Sequence, residues 1–313
     1  MKLLVTGGAG FIGSNFIDYV LENHNDVESI LNADCLSYAS NERNCDKFKS
    51  NPKYLFRHLD ITRTPQVVDV FRRFSPTHVV HFAAESHVDN SIKNPNIFIE
   101  TNVMGTNNVL RAALSSKVKR FHHISTDEVY GSLGQRGKFK ETTPYDPRNP
   151  YSASKAASDH FVRAFHHTFG LPCTISNCSN NYGPNQHKEK FIPTILKSLI
   201  RGKKIPVYGQ GSNIRDWIYV GDHCSAVWKI LTEGKNGETY NVGSNCEKTN
   251  LEVIEAICEI MNLESSSCIE FVKDRLGHDF RYAINASKIR SELSWKPSCT
   301  FKHGLIKTIA HYA

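Results

Sequence analysis

The stretch Lys2-Leu3-Leu4-Val5-Thr6-Gly7-Gly8-Ala9-Gly10-Phe11-Ile12-Gly13 decides how the rest of the chain is read. Its opening is a short apolar run of β character, and residues 12–23 carry helical spacing, so the glycines occupy a strand-to-helix turn. Without side chains at that turn the backbone can approach phosphate oxygens, while the exposed N–H groups and the helix dipole favour their negative charge. The spacing of Gly7, Gly10 and Gly13 is G-x-x-G-x-x-G, one residue removed from G-x-G-x-x-G, and alone it also describes an ordinary glycine-rich turn. Asp34 strengthens the reading. It lies 21 residues after Gly13, at the end of the next apolar run, where a carboxylate can accept hydrogen bonds from an adenosine ribose. No Arg stands beside it to receive a 2′-phosphate, so the pattern favours NAD over NADP.

Outward from this turn, β-rich runs at 29–33, 54–58, 78–82, 118–124 and 172–177 alternate with helical stretches near 65–74, 94–116 and 151–168. This rhythm predicts an α/β fold, a Rossmann-like doubly wound parallel sheet with helices on both faces. Past residue 177 the rhythm loosens, with helices near 190–201, 222–233 and 249–262. We therefore expect an NAD-binding domain over 1–172, joined by part of 214–242. A smaller, interleaved α/β substrate-binding domain is expected over 173–213 and 243–313. No internal repeat or low-complexity linker separates the two.

Composition narrows the class of partner. The 313 residues carry 38 Lys and Arg against 31 Asp and Glu, a net charge of +7, but the basic residues are scattered singly or in pairs such as Arg72-Arg73 and Lys203-Lys204. A nucleic-acid protein concentrates such charge in a stripe or tail, so the excess points to an anionic small molecule. No apolar run approaches the roughly 18 residues of a membrane span. Nine Cys form no C-x-x-C pair, and an odd number cannot close entirely into internal disulfides, so free thiols and a cytoplasmic location are expected.

Tyr151 and Lys155 are four residues apart and share one helix face. An ammonium near the phenol is expected to lower its pKa and make it a usable base. Placed after a glycine turn and five candidate strands, this pair resembles the Tyr-x-x-x-Lys of the extended short-chain dehydrogenase/reductase family. The segments His81-Phe82-Ala83-Ala84-Glu85-Ser86-His87-Val88-Asp89, Ser125-Thr126-Asp127-Glu128-Val129-Tyr130-Gly131, Asn177-Cys178-Ser179-Asn180-Asn181-Tyr182-Gly183-Pro184, Ile214-Arg215-Asp216-Trp217 and Asp274-Arg275-Leu276-Gly277-His278-Asp279 are similar to those of its nucleotide-diphosphate-glucose 4,6-dehydratases. Asn90 stands where that pattern has Arg, Leu276 where it has Pro, and 131–150 is shorter than the usual bacterial form.

The discriminating feature is Thr126-Asp127-Glu128. Removing water across two carbons requires one group to take a proton and another to protonate the departing hydroxyl, and neighbouring carboxylates divide those roles if their environments separate their pKa values. Successive strand side chains point to opposite faces, so both acids can face one substrate only where the backbone has left strand geometry. The resemblance implies that Tyr151, with Lys155 and Thr126, takes the proton of the sugar's 4-hydroxyl while hydride passes from carbon 4 to NAD. Glu128 then removes the proton at carbon 5, Asp127 protonates the leaving 6-hydroxyl, and hydride returns to carbon 6.

It also implies cofactor contacts at Gly7, Gly10, Phe11, Ile12, Gly13, Asp34, Asp60, Ile61, Ala83, Ala84, Ser86, Tyr151 and Lys155. Substrate contacts are implied at Ser86, Asn180, Lys190, Tyr208, Arg215, Asn250, Arg275 and His278, and no metal is required. The substrate is dTDP-glucose or UDP-glucose, which the sequence leaves undecided. Rival readings are a 4-epimerase or a UDP-glucuronate decarboxylase, against which Asp127-Glu128 argues, and a non-catalytic NAD-binding regulator, which would have little use for Tyr151, Lys155 and both acids together. The family's usual pairing implies a homodimer through 94–116 and 151–168, without nucleic acid or membrane partners.

Overall fold

The structure is a computed structural model that describes residues 1–274 and 279–313. Strand β1 (Lys2–Thr6) runs into α1 (Phe11–Asn23), followed by β2 (Ser29–Asp34), β3 (Tyr54–His58), α2 (Thr64–Phe74) and β4 (His78–His81). Next come α3 (Val88–Lys93), α4 (Pro95–Phe98), a π-helical stretch over Ile99–Gly105, α5 (Thr106–Ser115), β5 (Arg120–Thr126), α6 (Pro150–Phe169) and β6 (Cys173–Cys178). The rest forms β7 (Asn180–Tyr182), α7 (Phe191–Ile200), β8 (Ile205–Tyr208), β9 (Ile214–Tyr219), α8 (Val220–Glu233), β10 (Thr239–Val242) and β11 (Glu247–Thr249). It ends with α9 (Asn250–Ile260), α10 (Ser265–Cys268), β12 (Ile269–Val272), α11 (Ser287–Leu293) and α12 (Phe301–Tyr312).

Seven strands, all parallel, make the central sheet in the order β10-β6-β5-β4-β1-β2-β3. Leu3, Leu4 and Val5 are fully buried, as the continuous apolar run of a strand covered on both faces requires. Val67, Phe71, Leu110, Val162 and Phe165 of α2, α5 and α6 cover one face, and Phe16, Ile17, Val20, Val227 and Trp228 of α1 and α8 cover the other. The Rossmann-like, doubly wound architecture is therefore present. Because β1 lies between β2 and β4, the chain reverses direction across the sheet there, and a crevice opens at the carboxyl ends of the strands.

Cys173–Cys178 pairs in parallel with β5 from Phe121↔Cys173 to Thr126↔Cys178, so the central sheet extends past residue 172. One expectation changes. The single helix over 94–116 is instead α4, the π-helical stretch and α5. This irregular stretch presents Asn102 inward, where its side chain bonds the backbone of Glu85 on both sides, at 2.8 and 3.0 Å, and Ser154 Oγ at 2.8 Å. Such bulges re-aim a side chain that a regular helix would point elsewhere.

The remaining strands form a three-stranded sheet, β11-β9-β7, and a two-stranded sheet, β12-β8. Ile192, Ile195, Trp217, Val253, Ile257 and Leu305 gather α7, β9, α9 and α12 around a separate core. Among the described residues no helix is long and apolar enough to cross a membrane.

Candidate active site

The turn between β1 and α1 is held by close backbone contacts. Gly7 has φ +73° and a Cβ there would lie 2.7 Å from the Ala83 nitrogen; a Cβ on Gly13 would lie 2.2 Å from the Gly7 oxygen. Gly10 differs, since its Cβ would meet only the Gly7 oxygen, at 3.3 Å, and so would project into the crevice. Gly10 caps α1 without a side chain, and the first N–H groups of the helix, at Phe11, Ile12 and Gly13, have no carbonyl within the helix to receive them. Asp34 ends β2 and ties down the turn, accepting from Ala9 N at 2.9 Å and Leu36 N at 2.8 Å. Its carboxylate retains lone pairs for further donors. This cradle fits a dinucleotide pyrophosphate and its ribose. Ala83, Ala84 and Ser86 line the same end of the sheet after β4. Asp60 and Ile61 follow β3, with Ile61 buried against Gly105 and Asp60 bonded to Thr62.

The catalytic candidates converge two strands away. β5 ends at Thr126, and Asp127–Tyr130 turns at once into a short 3₁₀ helix, so the backbone leaves strand geometry where the pair of acids requires it. Thr126 caps this turn by accepting from Glu128 N at 3.3 Å. Opposite, α6 starts at Pro150 behind an Asn149–Ser152 capping box, which fixes Tyr151 and Lys155 in its first turns.

The two acids have different surroundings. Asp127 is 2% exposed, and burial, then the charges of Glu128 and Asp216, push its carboxyl well above the ordinary range. Burial also raises Glu128, but Lys190, Arg215 and a hydrogen bond from Asn149 pull it back. The two carboxyls thus share burial but differ in their charged neighbours, anionic around Asp127 and cationic around Glu128. Tyr151 departs from expectation. Burial, followed by the charge of Glu128, raises its phenol well above 10.0, while a hydrogen bond with Thr126 opposes the rise. The Lys155 ammonium donates to the Ile124 carbonyl at 2.7 Å and lies 3.4 Å from His123 Nε2.

On the open side of the acids, Lys190 precedes α7 and donates to the Ser86 carbonyl at 3.0 Å, bridging the two halves. Arg215 on β9 is 7% exposed, stacks 4.4 Å above the Tyr282 ring and donates to the carbonyls of Ile214 and Asp279 at 2.8 and 3.0 Å. Asn180 on β7 pairs with Trp217 of β9, and Asn250 N reaches the Asn213 carbonyl, which brings both near that strand. Tyr208 is exposed at the end of β8. Arg275, Leu276 and His278 lie outside the described residues.

A family model described as GDP-mannose 4,6 dehydratase matches residues 4–308. The chain belongs to this family. It is 49% identical over 326 residues to a dTDP-glucose 4,6-dehydratase of Xanthomonas campestris pv. campestris, covering 99% of this chain and 92% of that protein. To the dTDP-glucose 4,6-dehydratase of Haemophilus influenzae it is 46% identical over 332 residues, covering 100% and 98%. It is also similar to the crystal structure of a dTDP-glucose 4,6-dehydratase from Streptomyces venezuelae with NAD bound, with a TM-score of 0.96, 42% identity and coverage of 100% and 97%.

In this member of the GDP-mannose 4,6 dehydratase family, sequence reasoning passes over several residues that build the site. Asn149 bonds Glu128, Tyr282 lies under Arg215, and Asp216 faces Asp127. His123, Tyr145 and Asp159 gather behind Lys155. Two of them carry a readable signal: Asp216 stands in the Ile214-Arg215-Asp216-Trp217 segment, and Asp159 follows Lys155 by the same four-residue spacing that links Tyr151 to Lys155.

Proposed function

We propose that this chain is an NAD-dependent dTDP-glucose 4,6-dehydratase, a hydro-lyase that yields the 4-keto-6-deoxy sugar nucleotide. The observation that carries the reading is the Asp127–Glu128 pair, two carboxyls in contrasting surroundings beside Thr126, Tyr151 and Lys155. An epimerase needs only the tyrosine; elimination needs an acid and a base as well. Full-length similarity to dTDP-glucose 4,6-dehydratases supports the thymidine nucleotide over the uridine one.

NAD, held by the turn at Gly7 to Gly13 and by Asp34, would supply the hydride acceptor for carbon 4, the donor for carbon 6, and a positive charge beside the phenol. With that charge beside it, Tyr151 would give up its phenolic proton and, as the phenolate, receive the proton of the 4-hydroxyl, with Thr126 holding the phenolic oxygen. The resulting ketone acidifies the proton on carbon 5, which Glu128 removes. Asp127, kept protonated by burial and by its anionic neighbours, gives its proton to the departing 6-hydroxyl. Glu128 then returns a proton to carbon 5. Lys190, Arg215, Asn180 and Asn250, with Arg275 and His278, engage the sugar nucleotide; Arg215 offers a fork suited to diphosphate oxygens. Ser86 lies between cofactor and sugar, and Tyr208 serves the base.

The seven-stranded body thus holds the cofactor, and the region around β7, β9, α7, α9 and α12 holds the sugar nucleotide. Nine free cysteines accord with a reducing cytoplasm, where we place the enzyme. Ile97, Ile99, Met104 and Phe161 are large exposed apolar side chains on the 95–105 segment and α6, and their burial in a homodimer removes that surface from water. Light scattering at micromolar concentration tests this; a monomer would remove the dimer.

Incubation with dTDP-glucose and, separately, UDP-glucose, without added reductant, tests the function by product mass. The expected result is loss of one water from dTDP-glucose. Unchanged mass with inversion at carbon 4, or loss of carbon dioxide from UDP-glucuronate, would replace the dehydratase reading.

A further inference from the structure

Beneath the Tyr151–Lys155 pair lies a fully buried carboxylate that the reaction scheme leaves unused. Asp159, one helical turn beyond Lys155 on α6, has no exposed surface. Its Oδ2 accepts from Ser125 Oγ and from the Tyr145 hydroxyl, each at 2.8 Å. Its Oδ1 lies 3.3 Å from His123 Nε2, and the same ring nitrogen lies 3.4 Å from Lys155 Nζ. Carboxylate and ammonium therefore both approach one ring nitrogen of His123, in an interior where an unpaired charge is costly.

We propose that Asp159 is a positioning residue for Lys155: fastened by Ser125 and Tyr145, its carboxylate is the counter-charge that keeps the buried ammonium protonated and in place at the Ile124 carbonyl and His123. The inference rests on the proposed role of the Tyr151–Lys155 pair.

The groups facing this cluster leave that task to Asp159. On α6, Arg163 donates to the Tyr145 hydroxyl at 2.7 Å and to Thr239 Oγ1 at 3.2 Å, so it supports the carboxylate from the far side. On β4 and β5, burial lowers His81 well below 6.5 and His123 to about 4, so both are neutral at pH 7. On β6, burial pushes the Cys178 thiol up to about 12, which leaves it uncharged. Tyr130 and Tyr145 beside the carboxylate are raised by burial and are likewise neutral. Burial alone would raise Asp159, yet His123, Lys155 and Arg163 hold it below the ordinary carboxylate range. Lys155 is lowered to about 8 by burial, with Asp159 the largest opposing influence.

The test is an NMR titration of protein carrying ¹³Cε-labelled lysine, with the Lys155 signal assigned by its disappearance in Lys155→Met. In the unaltered protein the expected midpoint of this lysine, lowered by burial, is about 8. In Asp159→Asn, which keeps shape and loses charge, the midpoint falls by about one pH unit or more, and Asp159→Glu moves it back. An unmoved midpoint in Asp159→Asn overturns the proposal. If Asp159→Asn does not fold, Tyr145→Phe is judged by the same criterion. It removes one hydrogen bond to the carboxylate, so a smaller shift in the same direction supports the proposal and no shift overturns it. Dehydration assays run alongside: the alkaline limb of turnover follows the lysine midpoint downward, whereas a purely structural role lowers turnover equally at every pH. Failure of the unaltered protein to dehydrate any sugar nucleotide strikes the function and leaves the lysine titration readable.

Discussion

The cofactor end and the catalytic end of this molecule are built by opposite means. Around Gly7, Gly10 and Gly13 the site is a shape made by backbone, drawn from one continuous stretch and one acid, Asp34. Around Asp127 and Glu128 it is a pattern of charge, assembled from β5, α6, β9 and the residue before α7. The first should fail when atoms are added, the second when charge is changed at constant shape.

The largest effect is expected at the catalytic end. Glu128→Gln keeps size and removes the base, so elimination should fall by about 10²–10⁴-fold while oxidation at carbon 4, followed as absorbance of the reduced nicotinamide, persists. Equal loss of both steps would break the division between the two acids.

Next come the glycines, which separate two uses of space. Gly10→Val adds atoms that project into the crevice, so NAD binding measured by calorimetry should be lost while the melting temperature changes by only a few degrees. Gly13→Ala meets the Gly7 oxygen directly and should cost about 1–3 kcal/mol of stability as well. Normal NAD binding by Gly10→Val would remove the cradle from the cofactor site.

Arg215→Lys sharpens the contrast from the sugar side. It retains the positive charge and loses the fork, so we expect KM for the sugar nucleotide to rise by about tenfold, a loss of about 1.4 kcal/mol, with NAD affinity unchanged. If NAD affinity fell equally, the two ends would not be separate.

The smallest effect is a pH dependence of stability. His81 and His122 are lowered well below 6.5 by burial, His123 to about 4 and His223 to about 3. Below pH 6.5 the unfolded chain takes up protons at these residues and the folded chain does not, so stability falls as pH falls. Asp216, raised to about 6 by burial, gains a proton in the folded state and offsets part of this. Melting temperature should therefore decrease by several degrees between pH 7 and 5. A flat profile would show that the buried histidines are not held neutral.

Much of the fold was legible because its signals are local. The apolar runs around Val5, Ile30, Val79 and Phe121 are short, β-rich and bounded by turn residues, and all became strands of one parallel sheet. The short strands β7 to β12 were missed: three to six residues of mixed character carry little periodicity, and their pairing depends on partners far along the chain. The interruption at Ile99–Gly105 escaped for a related reason. Its cause is Asn102 reaching Glu85 and Ser154, a contact between distant segments.

The candidate site divides the same way. By itself the sequence determined the strand-turn-helix at Gly7 to Gly13, its acidic partner Asp34 and the order Thr126-Asp127-Glu128 before Tyr151 and Lys155, because motif spacing is a property of the chain alone. Tertiary structure alone sets how the surroundings of Asp127 and Glu128 differ and where the Lys155 ammonium points. Those outcomes depend on burial and on charges from Lys190, Arg215, Asp216 and Asp159, which only folding brings together.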